Sequence, residues 1–265
     1  MRIRRERESH SDRGMQRLSA RCFLLSFVLR AQCGLLLPAA LEGRLCHASV
    51  ARPRAAAHCS SAVASVPATA TDLTALLTEA AETRGVDDQA VVDALLELEK
   101  RMRAASKEDG ALSLATLAAL DGAWQLAFTT GTVDMQNKLG ARINYFPIKA
   151  VQTFDTTTMD ITNGIYLGDF AVLRFFGSFE WAESARRLNF DFDEIAIFGL
   201  RVRLPKGGAA QIGASTGLGS ENNVARAKRD KPAFFNWISA DAKIATARGG
   251  GGGLALWQRV DPQDS

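Results

Sequence analysis

Beyond Cys59 this chain of 265 residues contains no cysteine and no histidine. Cys22, Cys33, Cys46 and Cys59, with His10, His47 and His58, all fall in the first 59 residues. Residues 60–265 therefore have no side chains for a disulfide, a Cys or His metal site, or a His-based nucleophilic triad. Lysine is missing from the opposite end. Residues 1–71 hold 11 Arg, no Lys and 4 acids, a net of +7, whereas residues 72–265 hold 21 Lys and Arg against 25 Asp and Glu, a net of −4. The basic excess belongs to the N-terminal tail, and the remainder lacks the charge of a nucleic-acid-binding face. A long hydrophobic run is absent as well. The apolar stretch from Cys22 to Leu29 is followed by Arg30, Gln32 and Pro38, short of the roughly 20 apolar residues a membrane-spanning helix needs.

The tail reads as an address. Between Arg13 and Thr71 the only acid is Glu42, beside seven Arg and many Ala and Ser, the composition of organelle transit peptides. A signal-like apolar core after Met15, Arg17 and Arg21 is followed by the basic VARPRAAAHCSSAVAS. Together they resemble a bipartite plastid-targeting leader over residues 1–67. A mitochondrial address and a retained anchor are the alternatives.

The rest divides by periodicity. Residues 72–84 and 87–105 carry apolar stripes at helical spacing (Leu73, Leu76, Leu77 and Ala80; Val91, Leu95, Leu98 and Met102), with Thr71 or Asp72 capping the first. A short third helix is expected over Ser113 to Leu120, making residues 68–120 a helical segment. From Ala123 the period becomes two. Trp124, Leu126 and Phe128 share one face of the first strand, and Leu188, Phe190 and Phe192 alternate with Asn189, Asp191 and Asp193. The apolar phase flips near Glu194, which places a bulge or turn there. Asn163-Gly164 reads as a hairpin turn. Some eight or nine strands in meander order predict a closed antiparallel β-barrel over residues 121–265.

Few constellations carry chemistry. Residues 206–230 are rich in Gly and basic side chains, but no Gly-Lys-Ser/Thr is present, so a surface loop able to gate a barrel mouth is favoured over a phosphate cradle. Asp191, Asp193 and Glu194 could approach a cation, yet alternation makes them a solvated outer face. The strand aromatics Phe128, Phe170, Phe175, Phe176, Phe179, Phe190, Phe192, Phe234, Phe235 and Trp237 either wall a hydrophobic ligand cavity or fill a core. Trp124, Phe128, Phe176, Phe179, Phe190, Phe192 and Trp237 are the candidate ligand contacts. Gly122 and Trp124 have the spacing with which a barrel floor is closed under an arginine, for which Arg248 and Arg259 are candidates. Gly249 to Gly253 form the turn of the last hairpin. No catalytic or metal-binding residue and no cofactor is expected.

These elements in this order resemble the plastid lipid-associated (plastid fibrillin) family. The similarity is carried by LDGAWQLAFTT (120–130), AVQTFD, ITNGIYLG, RRLNFDFDEIAIFG and DAKIATARGGGGGLALWQRV (241–260), in which Asp241, Ile244, Arg248 and Gly249 match the family's closing pattern. It covers residues 72–260. Here Lys243 replaces the usual first Arg, and the region before the last hairpin is shortened. The resemblance implies a lipocalin-like barrel, mainly β, that binds or coats prenylquinones, carotenoids or acyl lipids at thylakoids or plastoglobules of the plastid. Its partners would be a hydrophobic lipid and a membrane or lipid-globule surface, without nucleic acid. An enzyme acting on an apolar substrate through Asp169 or Asp241 with Arg248 is one alternative. A scaffold holding a partner enzyme through the stripe from Val91 to Met102 is the other.

Overall fold

A computed structural model describes residues 69–216 and 221–261; the expected targeting leader lies outside the described residues. The first helix, α1 (Ala70–Thr83), starts at Thr69, whose hydroxyl accepts from the Asp72 N–H at 3.1 Å while the Asp72 carboxylate accepts from the Thr69 N–H at 2.7 Å. That reciprocal capping box moves the cap ahead of the expected Thr71 or Asp72. Helix α2 (Asp88–Glu108) is capped by Asp87, and α3 (Ala111–Leu120) comes next.

The strands are β1 (Gly122–Thr129), β2 (Asn144–Tyr145), β3 (Lys149–Asp155), β4 (Asp160–Leu167), β5 (Phe170–Ala182), β6 (Arg187–Ile197), β7 (Leu200–Arg203), β8 (Ala233–Ala240), β9 (Ile244–Gly249) and β10 (Leu254–Val260). A short helix, α4 (Val133–Leu139), lies between β1 and β2. The hydrogen-bonded order is β10-β9-β8-β6-β5-β4-β3-β1, and β10 pairs back onto β1. Among the described residues eight antiparallel strands thus close a ring, while β2 and β7 add to β1 and β6 outside it. This is a closed antiparallel barrel, in which β10 returns to β1.

Bulges decide which residues face inward. In β1 an extra residue falls between Leu126 and Phe128, so Leu126 lies opposite Trp257 but Phe128 lies opposite Leu256. Trp124 and Leu126 point into the barrel; Phe128 turns outward beneath α1 and α2, its ring 5.2 Å from that of Tyr145. A second bulge pairs Phe176 with Glu194 but Gly177 with Phe192, leaving Asp193 as the extra residue. The phase change expected near Glu194 is there, as a bulge inside a continuous strand.

Helices α1 and α2 cover the outer face of β1, β8, β9 and β10, where Val91, Leu95 and Leu98 share one buried cluster with Ile238, Ile244, Leu254 and Leu256. The stripe expected of an enzyme-docking surface is therefore buried against the barrel. Helix α3 closes one end through Leu117 and Leu120.

Two expectations are corrected. Asn163-Gly164 is not a turn but the middle of β4, paired on both sides with β3 and β5. A Cβ there would stand 2.5 Å from the Tyr166 ring, so the absence of a side chain is what lets that ring lie over the strand. The actual turn is 156–159, where the Asp155 carboxylate accepts from the Thr157 and Thr158 N–H groups. The expected loop at 206–230 holds two helices, α5 (Gly208–Thr216) and α6 (Glu221–Ala227).

Candidate ligand cavity

The barrel floor is built on Trp124, fully buried, whose indole N–H donates to the Leu120 carbonyl at 2.7 Å. Arg259 is the cation over its ring, 4.3 Å from the centroid, and donates to the Asp121 and Ala119 carbonyls at the end of α3. Gly122 adopts φ +110°, and a Cβ there would lie 2.8 Å from the Arg259 guanidinium. Both reasons for glycine therefore hold at one position. Arg248, the other candidate, is not beside Trp124. It shares a face with Ile244 and Thr246 and reaches outward to Glu99 on α2 at 2.9 and 2.5 Å. That hydrogen-bonded pair holds the Glu99 carboxyl below the usual carboxylate range, against the opposing effect of burial. Asp241 accepts from the Lys243 and Ile244 N–H groups and so shapes the β8–β9 turn.

Above the floor the interior divides into two levels. Phe154 packs edge-on against Phe179 (6.0 Å) and Trp237 (5.6 Å), a filled aromatic layer. From Trp237 the rings continue through Phe235, Phe190 and Phe192 to Phe175, with centroids 5.1–5.8 Å apart. The upper rings border an open cavity of about 360 Å³, within the roughly 300–1,000 Å³ of small-molecule sites. Leu126, Ala150, Gln152, Asn163, Ile165, Phe175, Phe190, Phe192, Phe235, Ala255 and Trp257 line it. Its charged lining residues, Asp191, Lys206, Asp230 and Lys231, are all exposed.

The mouth is shaped by α4, the glycine turn and the α5–α6 pair. Gly131, Thr132 and Met135 contribute from the first; Gly249, Gly250, Gly251 and Gly253 from the second; Gly207, Ala209, Ala210 and Ala227 from the third. Helix α6 is tied down at Phe234, whose ring lies between the guanidinium groups of Arg187 (4.4 Å) and Arg226 (4.6 Å). The five glycines form a packed turn. A Cβ on Gly250 would stand 3.0 Å from Phe234, one on Gly252 2.9 Å from Val133, and one on Gly253 would overlap the Gly131 carbonyl. Leu167, Phe170, Phe198 and Leu200 form an exposed apolar lip on the β4–β5 and β6–β7 turns, the two phenylalanine rings stacked at 6.1 Å.

Of the seven candidate contacts, Phe190 and Phe192 line the cavity. Trp124, Phe179 and Trp237 lie below it in floor and filled layer. Phe128 lies outside the barrel, under the helices. Phe176 also faces outward, under Arg201 (4.0 Å) and Arg174 (5.3 Å) beside Glu194, because β5 alternates without interruption here and Phe175 and Phe179 take its inner face. Glu194 itself is turned to Arg201 and Arg203. Phe175 and Phe235 stood among the strand aromatics that could wall a cavity but not among the seven contacts, Trp257 was not singled out, and Gln152 and Asn163 carried no signal. The acid and cation of the enzymatic alternative are outside the cavity: Asp169 is fully exposed beside Lys149 and Asp241 serves its turn. A second cleft of about 680 Å³ lies outside the barrel between α2, α3 and β8. Its buried Arg186 joins the Ile238 and Met102 carbonyls, a strut between sheet and helix.

No protein-family model and no curated protein matches this chain. Solved structures similar to this chain include the following two. One is a lipocalin-like protein from Bacteroides uniformis, 12% identical, covering 54% of this chain and 99% of that one with a TM-score of 0.32. The other is a protein from Burkholderia xenovorans, 13% identical, covering 55% and 87% with a TM-score of 0.29. The barrel assignment rests on the strand ring itself.

Proposed function

We propose that this chain is a non-enzymatic binding protein that holds an apolar molecule in the upper half of its barrel. One observation carries the reading: a cavity walled by Phe175, Phe190, Phe192, Phe235 and Trp257, with every charged lining residue exposed. Removing apolar surface from water there stabilises the complex by about 25 cal/mol per Å². The cavity holds on the order of a dozen water-sized groups, so a long-chain lipid enters only in part. Its remainder would cross the apolar lip of Leu167, Phe170, Phe198 and Leu200, which supports a membrane or lipid globule as the donor phase. The family resemblance and the leader composition extend this to lipids of the plastid, prenylquinones, carotenoids or acyl lipids at thylakoids or plastoglobules.

The test is direct. The full chain is titrated with the neutral fluorophore N-phenyl-1-naphthylamine, and co-purifying lipids are identified by mass spectrometry. Saturable binding is expected, and Ala255→Phe, which fills the cavity from β10, should abolish it while the thermal transition stays. Absence of any bound apolar molecule in the wild type would sink the proposal. The address is checked separately, by fusing residues 1–67 to a fluorescent reporter.

A further inference from the structure

Three side-chain amides line the apolar space, Asn223 on α6 and two on the strands of the barrel wall. Gln152 on β3 and Asn163 on β4 are direct cross-strand partners, so they project to the same side of the sheet. Gln152 is 5% exposed, both residues line the cavity, and among the described residues no hydrogen bond engages either side-chain amide. Both amides open onto the cavity rather than onto a protein partner, so a bound molecule that displaces water from them has to replace the hydrogen bonds it removes. The floor, the filled layer and the strand ladders make no use of these groups.

We propose that the cavity takes an apolar molecule bearing one uncharged hydrogen-bonding group, a carbonyl or hydroxyl, which it receives polar end first at Gln152 and Asn163. The orientation follows from depth. Gln152 is paired across the barrel wall with Trp124, the floor residue, and Phe154, one inward position further, belongs to the filled layer. The mouth lies at the other end of β3. The neutrality follows from the lining. An amide presents both donors and an acceptor, which complements a carbonyl or a hydroxyl. A carboxylate or ammonium at that depth would be buried without an opposite charge, because Lys206, Lys231, Asp191 and Asp230 all sit in solvent.

This rests on the barrel binding an apolar ligand at all, and the experiment separates the two. The full chain is loaded with N-phenyl-1-naphthylamine, which is displaced by 2-undecanone, by its shape-matched alkene 2-methyl-1-undecene, and by undecanoate. Gln152→Met is expected to weaken the ketone about tenfold, one hydrogen bond's worth, while leaving the alkene unchanged or tighter. Asn163→Leu should act in the same sense, and undecanoate should be the poorest competitor. In the wild type the infrared carbonyl band of bound, ¹³C-labelled ketone should shift to lower frequency, and in Gln152→Met it should not. Equal effects of the variants on ketone and alkene, with no band shift, would mean that the amides hold only water, and would overturn the proposal. Failure of all three molecules to displace the fluorophore, or of the fluorophore to bind, would instead remove the binding function beneath it.

Discussion

Gly253→Ala tests whether the glycine-rich turn is a packed part of the mouth or slack chain. A Cβ at residue 253 would overlap the carbonyl of Gly131 and lie 3.3 Å from the Thr132 N–H. Both neighbours are backbone, so no side chain can swing away. The same segment is held by three further bonds: Thr130 N–H to the Leu254 carbonyl (3.0 Å), Leu254 N–H to the Thr130 hydroxyl (2.9 Å), and Val133 N–H to the Gly251 carbonyl (3.0 Å). Relieving the overlap means parting these two strands. We expect a loss of about 3 kcal/mol, the upper range for overpacking, or a fall in Tm of about 6–12 °C for a domain of this size. Gly249→Ala is the internal control. Its Cβ would meet only ordinary contacts at 3.8 Å or more, so it should be neutral or stabilising by up to about 1 kcal/mol. Gly252→Ala falls between, about 1–2 kcal/mol, from its φ of +84°. Denaturant unfolding of the full-length variants gives the ranking. If Gly253→Ala and Gly249→Ala have the same midpoint, the turn does not rest on residues 131–132 and the reasoning fails.

Two further outcomes concern the arginines. Arg259→Met should cost about 2–4 kcal/mol, from the lost contact with the Trp124 ring and two charge-assisted bonds to carbonyls. It should also change the near-ultraviolet circular dichroism of the tryptophans, whereas Arg248→Met should leave that spectrum intact. Glu99→Gln should cost about 1–3 kcal/mol at neutral pH. Because the folded-state pKa of Glu99 is depressed below its ordinary 4.5, its contribution is complete above that value and is lost as pH falls through the lower folded one. The stability difference between wild type and Glu99→Gln should therefore shrink below about pH 4.5. A difference that is constant from pH 7 to pH 3 would refute the assignment.

Local chemistry determined a good deal of this protein by itself. The two amphipathic helices, the change of period after residue 121 and the alternation of Leu188, Phe190 and Phe192 are all short-range patterns. They were enough to give a helix-flanked antiparallel barrel and to put Phe190 and Phe192 on one face of a strand. Gly122 and Trp124 likewise marked the floor, because the tight approach they serve is local.

Tertiary structure decided the rest, and the reason in each case is a contact between distant segments. One extra residue in β1 reverses the inward phase, visible only in the register against β10, and puts Phe128 outside; Phe176 is outside by alternation alone, once the tertiary structure gives the inner face of β5 to Phe175 and Phe179. Arg248 and Arg259 both stand on the last hairpin at alternating positions, and which of them meets Trp124 depends on which face of that hairpin the helices cover. Five glycines look redundant until Gly131, Val133 and Phe234 close on them. Helix α5 is mostly Gly and Ala and α6 is mostly polar, so neither has an apolar stripe strong enough to be read before they lie on the mouth. Gln152 and Asn163 are ordinary strand residues in the sequence. Only ring closure, by setting them side by side in the wall of an apolar cavity, turns two amides into a candidate recognition site.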